Sequence, residues 1–227
     1  MSKLSKLLLE KGADLTVANN GGWTPLNLAS NNGHIEVVKL LLEEGADLTV
    51  ANNYGLTPLN SAANKGHIDV VKLLVENGAD VTAANGSTPL IRASSNGHDK
   101  IVSLLLAQQN VDLQFSDANG RTALSWAAAK GHKTVIELLI ADKRFDGNSQ
   151  DDTGLAPLMW ASQKSQDSVV ELLVQHGCCI HGNNRYSFFL RIALFMMHKA
   201  FEEIAAAMRF ETDDFTLGLV GLFKEIE

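Results

Sequence analysis

Residues 24–47 read TPLNLASNNGHIEVVKLLLEEGAD, and this stretch contains two short helical patterns. Thr24 is suited to cap the first helix, and Pro25 then occupies the first helical position, where its missing N–H costs nothing. Small residues follow, and Gly33 ends this helix because a left-handed residue at a helix end is least strained as glycine. The second pattern, residues 35–44, has apolar residues on one broad stripe. We therefore predict a helix–turn–helix unit.

The same unit recurs along the chain. Thr-Pro-Leu or a close variant begins at positions 24, 57, 88, 122 and 156, at intervals of 33, 31, 34 and 34 residues. Gly-His follows in four of these five units. A fixed period of this length is the signature of a repeat architecture. Two short helices cannot bury their own apolar faces, so neighbouring units must stack into a solenoid.

These units resemble ankyrin repeats over roughly residues 1–185. The resemblance implies an all-α solenoid of stacked helix-turn-helix units with hairpin-like finger loops. The chain departs from the family at one position, because the usual His after Thr-Pro-Leu is absent. In the family that His helps tie the Thr to neighbouring backbone, so we expect a less rigid array. The residues that replace it are Asn27, Asn60, Ile91, Ser125 and Met159.

The repeats divide the chain into three expected parts. Residues 1–21 are predicted to be a truncated first repeat with only its second helix and finger, because residues 6–34 match residues 39–67 at 23 of 29 positions. Residues 22–185 hold five repeats. Residues 186–227 break the pattern and are predicted to be a degenerate C-terminal cap or a non-repeat tail. The missing first helix leaves two alternatives. Either the chain is a fragment, or something else covers the apolar side of this first unit.

Composition narrows the function classes. The net charge of -7 and the pI near 5.5 argue against nucleic acid as a partner. The two cysteines, Cys178 and Cys179, are adjacent and suit no disulfide framework. The first residues lack an apolar stretch followed by a cleavage site, so we expect no signal peptide. We expect an intracellular protein, cytoplasmic or nuclear. The longest apolar run in the last part, residues 192–197, is too short to span a bilayer, so a membrane partner is not expected.

The sequence lacks the motifs of catalytic and cofactor sites. It contains no phosphate-binding glycine loop, no Gly-x-Ser-x-Gly turn and no set of nucleophile, base and orienting group. The histidines recur with the repeat period, as structural residues do, whereas a zinc site needs clustered ligands. We predict no enzymatic activity, no cofactor and no metal.

The ankyrin resemblance implies that partner contacts concentrate at finger tips and at the exposed ends of first helices, on the concave side. Mapped onto this chain, the finger-tip candidates are Trp23, Tyr54, Leu56 and Arg121, and the helix-end candidates are Asn31, Asn32, Asn64, Lys65, Asn96, Lys130 and Lys164. A third set, Arg92, Trp126 and Trp160, occupies equivalent places in consecutive first helices.

Two interpretations stay open for parts of this set. The two first-helix tryptophans form either an aromatic contact strip or packing between repeats. The periodic lysines Lys65, Lys130 and Lys164 are either a solvated face or a basic row for an acidic partner.

We therefore predict a protein–protein interaction module for an unidentified partner, either a monomer or part of a larger chain. One alternative is a recognition arm of a larger enzyme or signalling receptor. Another is a scaffold tethered to a membrane surface by residues 186–210.

Overall fold

The computed structural model describes residues 12–82, 86–142 and 144–178. Within them the regular elements are ten helices in five pairs, which confirms the predicted all-α repeat fold. The first helices are α1 Pro25–Asn31, α3 Pro58–Lys65, α5 Pro89–Ser95, α7 Ala123–Lys130 and α9 Pro157–Gln163. The second helices are α2 Ile35–Glu43, α4 Ile68–Glu76, α6 Asp99–Leu106, α8 Lys133–Ala141 and α10 Asp167–Gln175.

The first helices begin as the sequence predicts. The Thr24 hydroxyl accepts a hydrogen bond from the backbone N–H of Asn27 at 3.2 Å, and Pro25 is the first helical residue. Equivalent threonines cap α3, α5 and α7 in the same way. The fifth unit has Ala156 at this position, so α9 starts without a side-chain cap.

Stacking of the units builds one continuous apolar core. Each first helix places one leucine in this core, and each of the five is no more than 1% exposed. Small alanines beside them let the helices approach closely, and the second helices close the core from the other side. The extensive helix–helix contacts lie within a pair or between neighbouring pairs. The core leucines are Leu26, Leu59, Leu90, Leu124 and Leu158.

The repeated histidines join neighbouring units. Nε2 of His67 lies 3.0 Å from the carbonyl oxygen of Asn31, at the end of the preceding first helix. His98 and His132 make the same contact with the unit before each of them, at 3.2 Å. A carbonyl can only accept, so Nε2 carries the proton in each case. Among the described residues, no group of three or more ligand-type side chains could hold a metal ion.

Asparagine forms a link between units at two of the positions where the family's His is missing. The amide of Asn27 donates to the carbonyl of Val50 at 2.8 Å, and that of Asn60 donates to the carbonyl of Ser87 at 3.3 Å. Both asparagines are buried. The side chain of Ile91 has no polar atom that could form such a link. The lower rigidity expected for the array therefore stays a prediction, and it concerns the later units most.

Three predicted segments lie outside the described residues. They are the helix of the truncated first unit, within residues 1–11, the cap or tail at 186–227, and the membrane-tether segment at 186–210. In the part of the chain that the structure does describe, each helix is too short or too polar to cross a membrane.

Candidate functional site

The candidate binding residues lie on the fingers and on the first helices, and we call this surface the finger face. Their exposure differs widely. The exposed ones are Asn32, Tyr54, Lys65, Asn96, Lys130 and Lys164. The half-buried ones are Trp23, Asn31, Leu56, Asn64, Arg92, Arg121 and Trp126, and Trp160 is buried.

A side-chain turn fixes four of the finger tips in the part of the chain that the structure describes. The Oδ1 atom of Asn52 accepts hydrogen bonds from the backbone N–H groups of Tyr54 and Leu56, at 2.9 and 3.0 Å. Asn19, Asp117 and Asp151 form the same turn in their own fingers. Short polar side chains favour this geometry because they can bond to backbone two residues further on. The tips are therefore held in a defined shape before any partner binds.

Backbone hydrogen bonds also join adjacent fingers. The N–H of Asn53 donates to the carbonyl of Gly21 at 3.0 Å, and the N–H of Asp152 donates to the carbonyl of Asn119 at 3.1 Å. These bonds set the spacing between neighbouring tips, so side chains of two units present one surface.

The two aromatic tip residues differ in their surroundings. Tyr54 is 72% exposed, the largest exposure among the big apolar side chains of the described residues. Trp23 is half-buried and lies against its own finger, since a Cβ built on Gly21 would come 2.9 Å from its Cδ1 atom. Tyr54 therefore extends into solvent, whereas Trp23 packs partly on its own finger.

The two first-helix tryptophans surround Arg121. The guanidinium carbon of Arg121 lies 5.0 Å from the ring centre of Trp126 and 3.9 Å from that of Trp160, within the range of cation–π attraction. Each indole N–H donates to a finger carboxylate at 2.8 Å, Trp126 to Asp117 and Trp160 to Asp151. Trp160 is only 8% exposed, so the packing interpretation fits it better than the contact interpretation. Trp126 keeps part of its surface accessible.

Asp151 is the most heavily bonded carboxylate of this cluster. Its oxygens accept from Thr153, Leu155 and Trp160, and the Arg121 Nε atom lies 3.7 Å away. Burial raises the pKa of the Asp151 carboxyl, but the hydrogen bonds from these donors outweigh it. The pKa therefore lies below its ordinary value, and the group stays ionised beside Arg121.

A cleft of about 430 Å³ opens on the finger face between the third and fourth helix pairs. Two fingers contribute residues 86–87 and 117–119 to its walls, and the first helices α3, α5 and α7 contribute the rest. Five of the residues predicted from the sequence line it together: Asn64, Arg92, Asn96, Trp126 and Lys130. The remaining predicted residues lie elsewhere on the finger face.

The cleft carries unpaired positive charge. The Nε atom of Arg92 is buried and has no hydrogen-bond partner among the described residues. Neither Arg92 nor Lys130 forms an ion pair within the part of the chain that the structure describes. Asp117 is the acidic residue of the lining, and its oxygens already accept from the backbone of Asn119 and from the indole of Trp126.

Sequence reasoning missed the role of Asp117 and Asp151 in orienting the tryptophans. A signal was present, because each Asp precedes its Trp by nine residues, 117 to 126 and 151 to 160. The turn residues of the first two fingers, Asn19 and Asn52, have Leu28 and Ser61 at the same distance, and neither is a tryptophan.

Comparison with known protein families finds a match over most of the chain. The model described as ankyrin repeats (3 copies) matches residues 1–85, 49–116 and 90–184. No curated protein matches the chain significantly.

Proposed function

Because this chain belongs to the ankyrin-repeat family, we propose that it binds a partner protein on its finger face. Ankyrin repeats are generally protein–protein interaction modules and are typically not enzymes. Which surface binds, and what it binds, are the finer parts of the proposal. They are supported by the way fingers and first helices bring separate units onto one face.

The cleft between the third and fourth helix pairs is the main support for binding on the finger face. Five residues from α3, α5 and α7, predicted as contacts from their repeat positions, line one opening of about 430 Å³. The fourth finger, beside it, is fixed by the side-chain turn of Asp117 and by the backbone bond between Asp152 and Asn119. A surface that is ordered before binding loses little conformational entropy on association. Such a surface suits recognition by shape and charge.

We also propose that this binding takes place inside the cell, in the cytoplasm or the nucleus, with a protein and not a nucleic acid as the partner. The adjacent pair Cys178 and Cys179, unsuited to a disulfide framework, and the net charge of -7 support this.

Capture of partners with the intact chain, followed by affinity measurement on variants, tests the proposal. Tyr54→Ala removes the most exposed aromatic side chain of the finger face, and we expect the partner's Kd to rise about tenfold or more. Ile35→Ala is the matched control, because Ile35 is also exposed but begins a second helix. Circular dichroism should show the same helix content for both variants. Full binding by the Tyr54 variant, with binding lost in the Ile35 variant, would contradict the proposal.

A further inference from the structure

We propose that the cleft between the third and fourth helix pairs binds an acidic side chain of a partner peptide, with Arg92 and Lys130 as the groups that recognise its carboxylate. This rests on the proposed function and names the chemistry of the partner. Three observations support it, and they concern the charge of the helices, the state of Arg92 and the shape of the opening.

The first observation is that charge is segregated between the two helix sets. The first helices, α1, α3, α5, α7 and α9, contain three basic residues and no acidic one. The second helices contain eight acidic residues and four basic ones. The first helices are therefore basic, although the whole chain has a net charge of -7. The three basic residues are Lys65, Arg92 and Lys130, and the second and third of these line the cleft.

The second observation is that Arg92 is half-buried and has no partner for its charge among the described residues. Its Nε atom is buried and unbonded, and no ion pair to it occurs in the described residues. Holding an unpaired charge in a partly desolvated place is unfavourable unless a ligand supplies the counter-charge. Asp117, in the same lining, forms no ion pair with Arg92 among the described residues, and its oxygens accept from backbone N–H groups and from Trp126.

The third observation concerns which anion fits. A guanidinium presents a planar fork of N–H groups that matches a carboxylate with two parallel hydrogen bonds. Lys130 adds a second positive charge at the exposed end of α7, and Trp126 offers an apolar wall for the carbon stem of a glutamate. The opening lies on the finger face between two units, so an extended peptide can place one side chain in it while its backbone runs past the fingers.

The test uses a fluorescein-labelled decapeptide of glycine and serine with four glutamates, and the same peptide with four glutamines. Fluorescence anisotropy is measured with the intact chain at low salt, where charge interactions are least screened. We expect the glutamate peptide to bind at least tenfold more tightly than the glutamine peptide. Arg92→Met should weaken the glutamate peptide about tenfold. Lys130→Met should weaken it about threefold, because Lys130 is exposed.

Lys100→Met is the matched control. It removes the same charge from the exposed face of α6, a second helix, and should leave binding unchanged. If Arg92→Met lowers the melting temperature strongly, Lys130→Met serves as the test variant, because the Lys130 side chain lies on the surface and its loss should not disturb folding.

Several results would overturn the inference. They are no saturable binding of the glutamate peptide, equal binding of the glutamine peptide, or an equal loss in the Lys100 variant. Tighter binding of a phosphoserine peptide with no binding of the glutamate peptide would mark a phosphate site instead. Equal affinity for an oligouridylate of the same charge would mark a general polyanion surface. A captured partner whose binding is lost in the Tyr54 variant but unchanged in the Arg92 variant would contradict this inference and still support the proposed function.

Discussion

At the scale of single residues, the choice between Asn and Asp in the fingers has a physical reason. Both side chains can accept two backbone N–H groups through Oδ1 and so form the same turn, as Asn52 and Asp151 do. Only the carboxylate has a second acceptor, and Asp151 uses it for the indole N–H of Trp160. An amide there would present an NH₂ group to another donor.

We expect Asp151→Asn to lower the free energy of unfolding by about 2 kcal/mol, because the buried charge near Arg121 and the acceptor of the Trp160 indole bond are lost. The turn survives through Oδ1, so helix content should not change. Chemical denaturation of the variant measures the effect. Asp152→Asn is the control, since Asp152 is the exposed neighbour, and a loss as large for it would show that the Trp160 bond contributes little.

The lowered pKa of Asp151 also predicts a pH dependence of stability. A carboxyl whose pKa is lower in the folded state stabilises the fold above its unfolded pKa, which is about 4. That contribution is lost as the pH falls through the lower folded pKa. Between pH 5 and about pH 2, the free energy of unfolding should therefore fall less steeply with pH in Asp151→Asn than in the natural chain. An unchanged slope would show that Asp14, Asp47 and Asp142, whose pKa values are also lowered, account for the acid sensitivity.

At the scale of elements, the glycines at the ends of first helices do two things. Gly97 has φ +73°, which favours glycine, and it also lies against the next unit, because a Cβ there would come 2.6 Å from His132 Nδ1. Gly78, after a second helix, has φ +84° but nothing within 4 Å of its Cβ position. The first kind of glycine sets the distance between units, whereas the second ends a helix only.

This difference predicts unequal effects for the same substitution. Gly78→Ala should cost about 1 kcal/mol for the left-handed backbone. Gly97→Ala should cost about 1–2 kcal/mol more, because His132 must move and weaken its bond to the carbonyl of Ser95. Thermal or urea unfolding of the two variants measures this. In a double-mutant cycle, His132→Ala should recover part of the Gly97→Ala loss, and strictly additive losses would contradict the close contact.

The helix ends were predictable from sequence because capping is local chemistry. Thr24, Pro25 and Gly33 act within a few residues of one another, and their recurrence identifies the repeat. The site was predictable only in outline. The burial of Trp160 and the unpaired state of Arg92 depend on what the neighbouring units bring against them, which no local pattern encodes.

At the scale of the whole molecule, the described part of the chain is coupled from neighbour to neighbour. Its extensive helix contacts join adjacent pairs, and the long-range side-chain bonds do the same. In such an array, stability is close to a sum of unit terms and interface terms. A weakened interface should then open the units beside it more than distant ones.

Asn27→Ala tests this coupling. The variant loses the 2.8 Å bond to the carbonyl of Val50 and the contact with the Ser61 hydroxyl, so the interface between the first two helix pairs should weaken by about 1–2 kcal/mol. Native-state hydrogen exchange should rise about tenfold in α1–α4 and stay unchanged in α7–α10. Asn60→Ala is the matched variant, because it breaks the same kind of bond one unit later, to the carbonyl of Ser87. In this variant the faster exchange should centre on α3–α6. The difference between the helices affected in the two variants measures how far a weakened interface destabilises neighbouring units. Equal acceleration in all ten helices would mean that the array opens as one cooperative body.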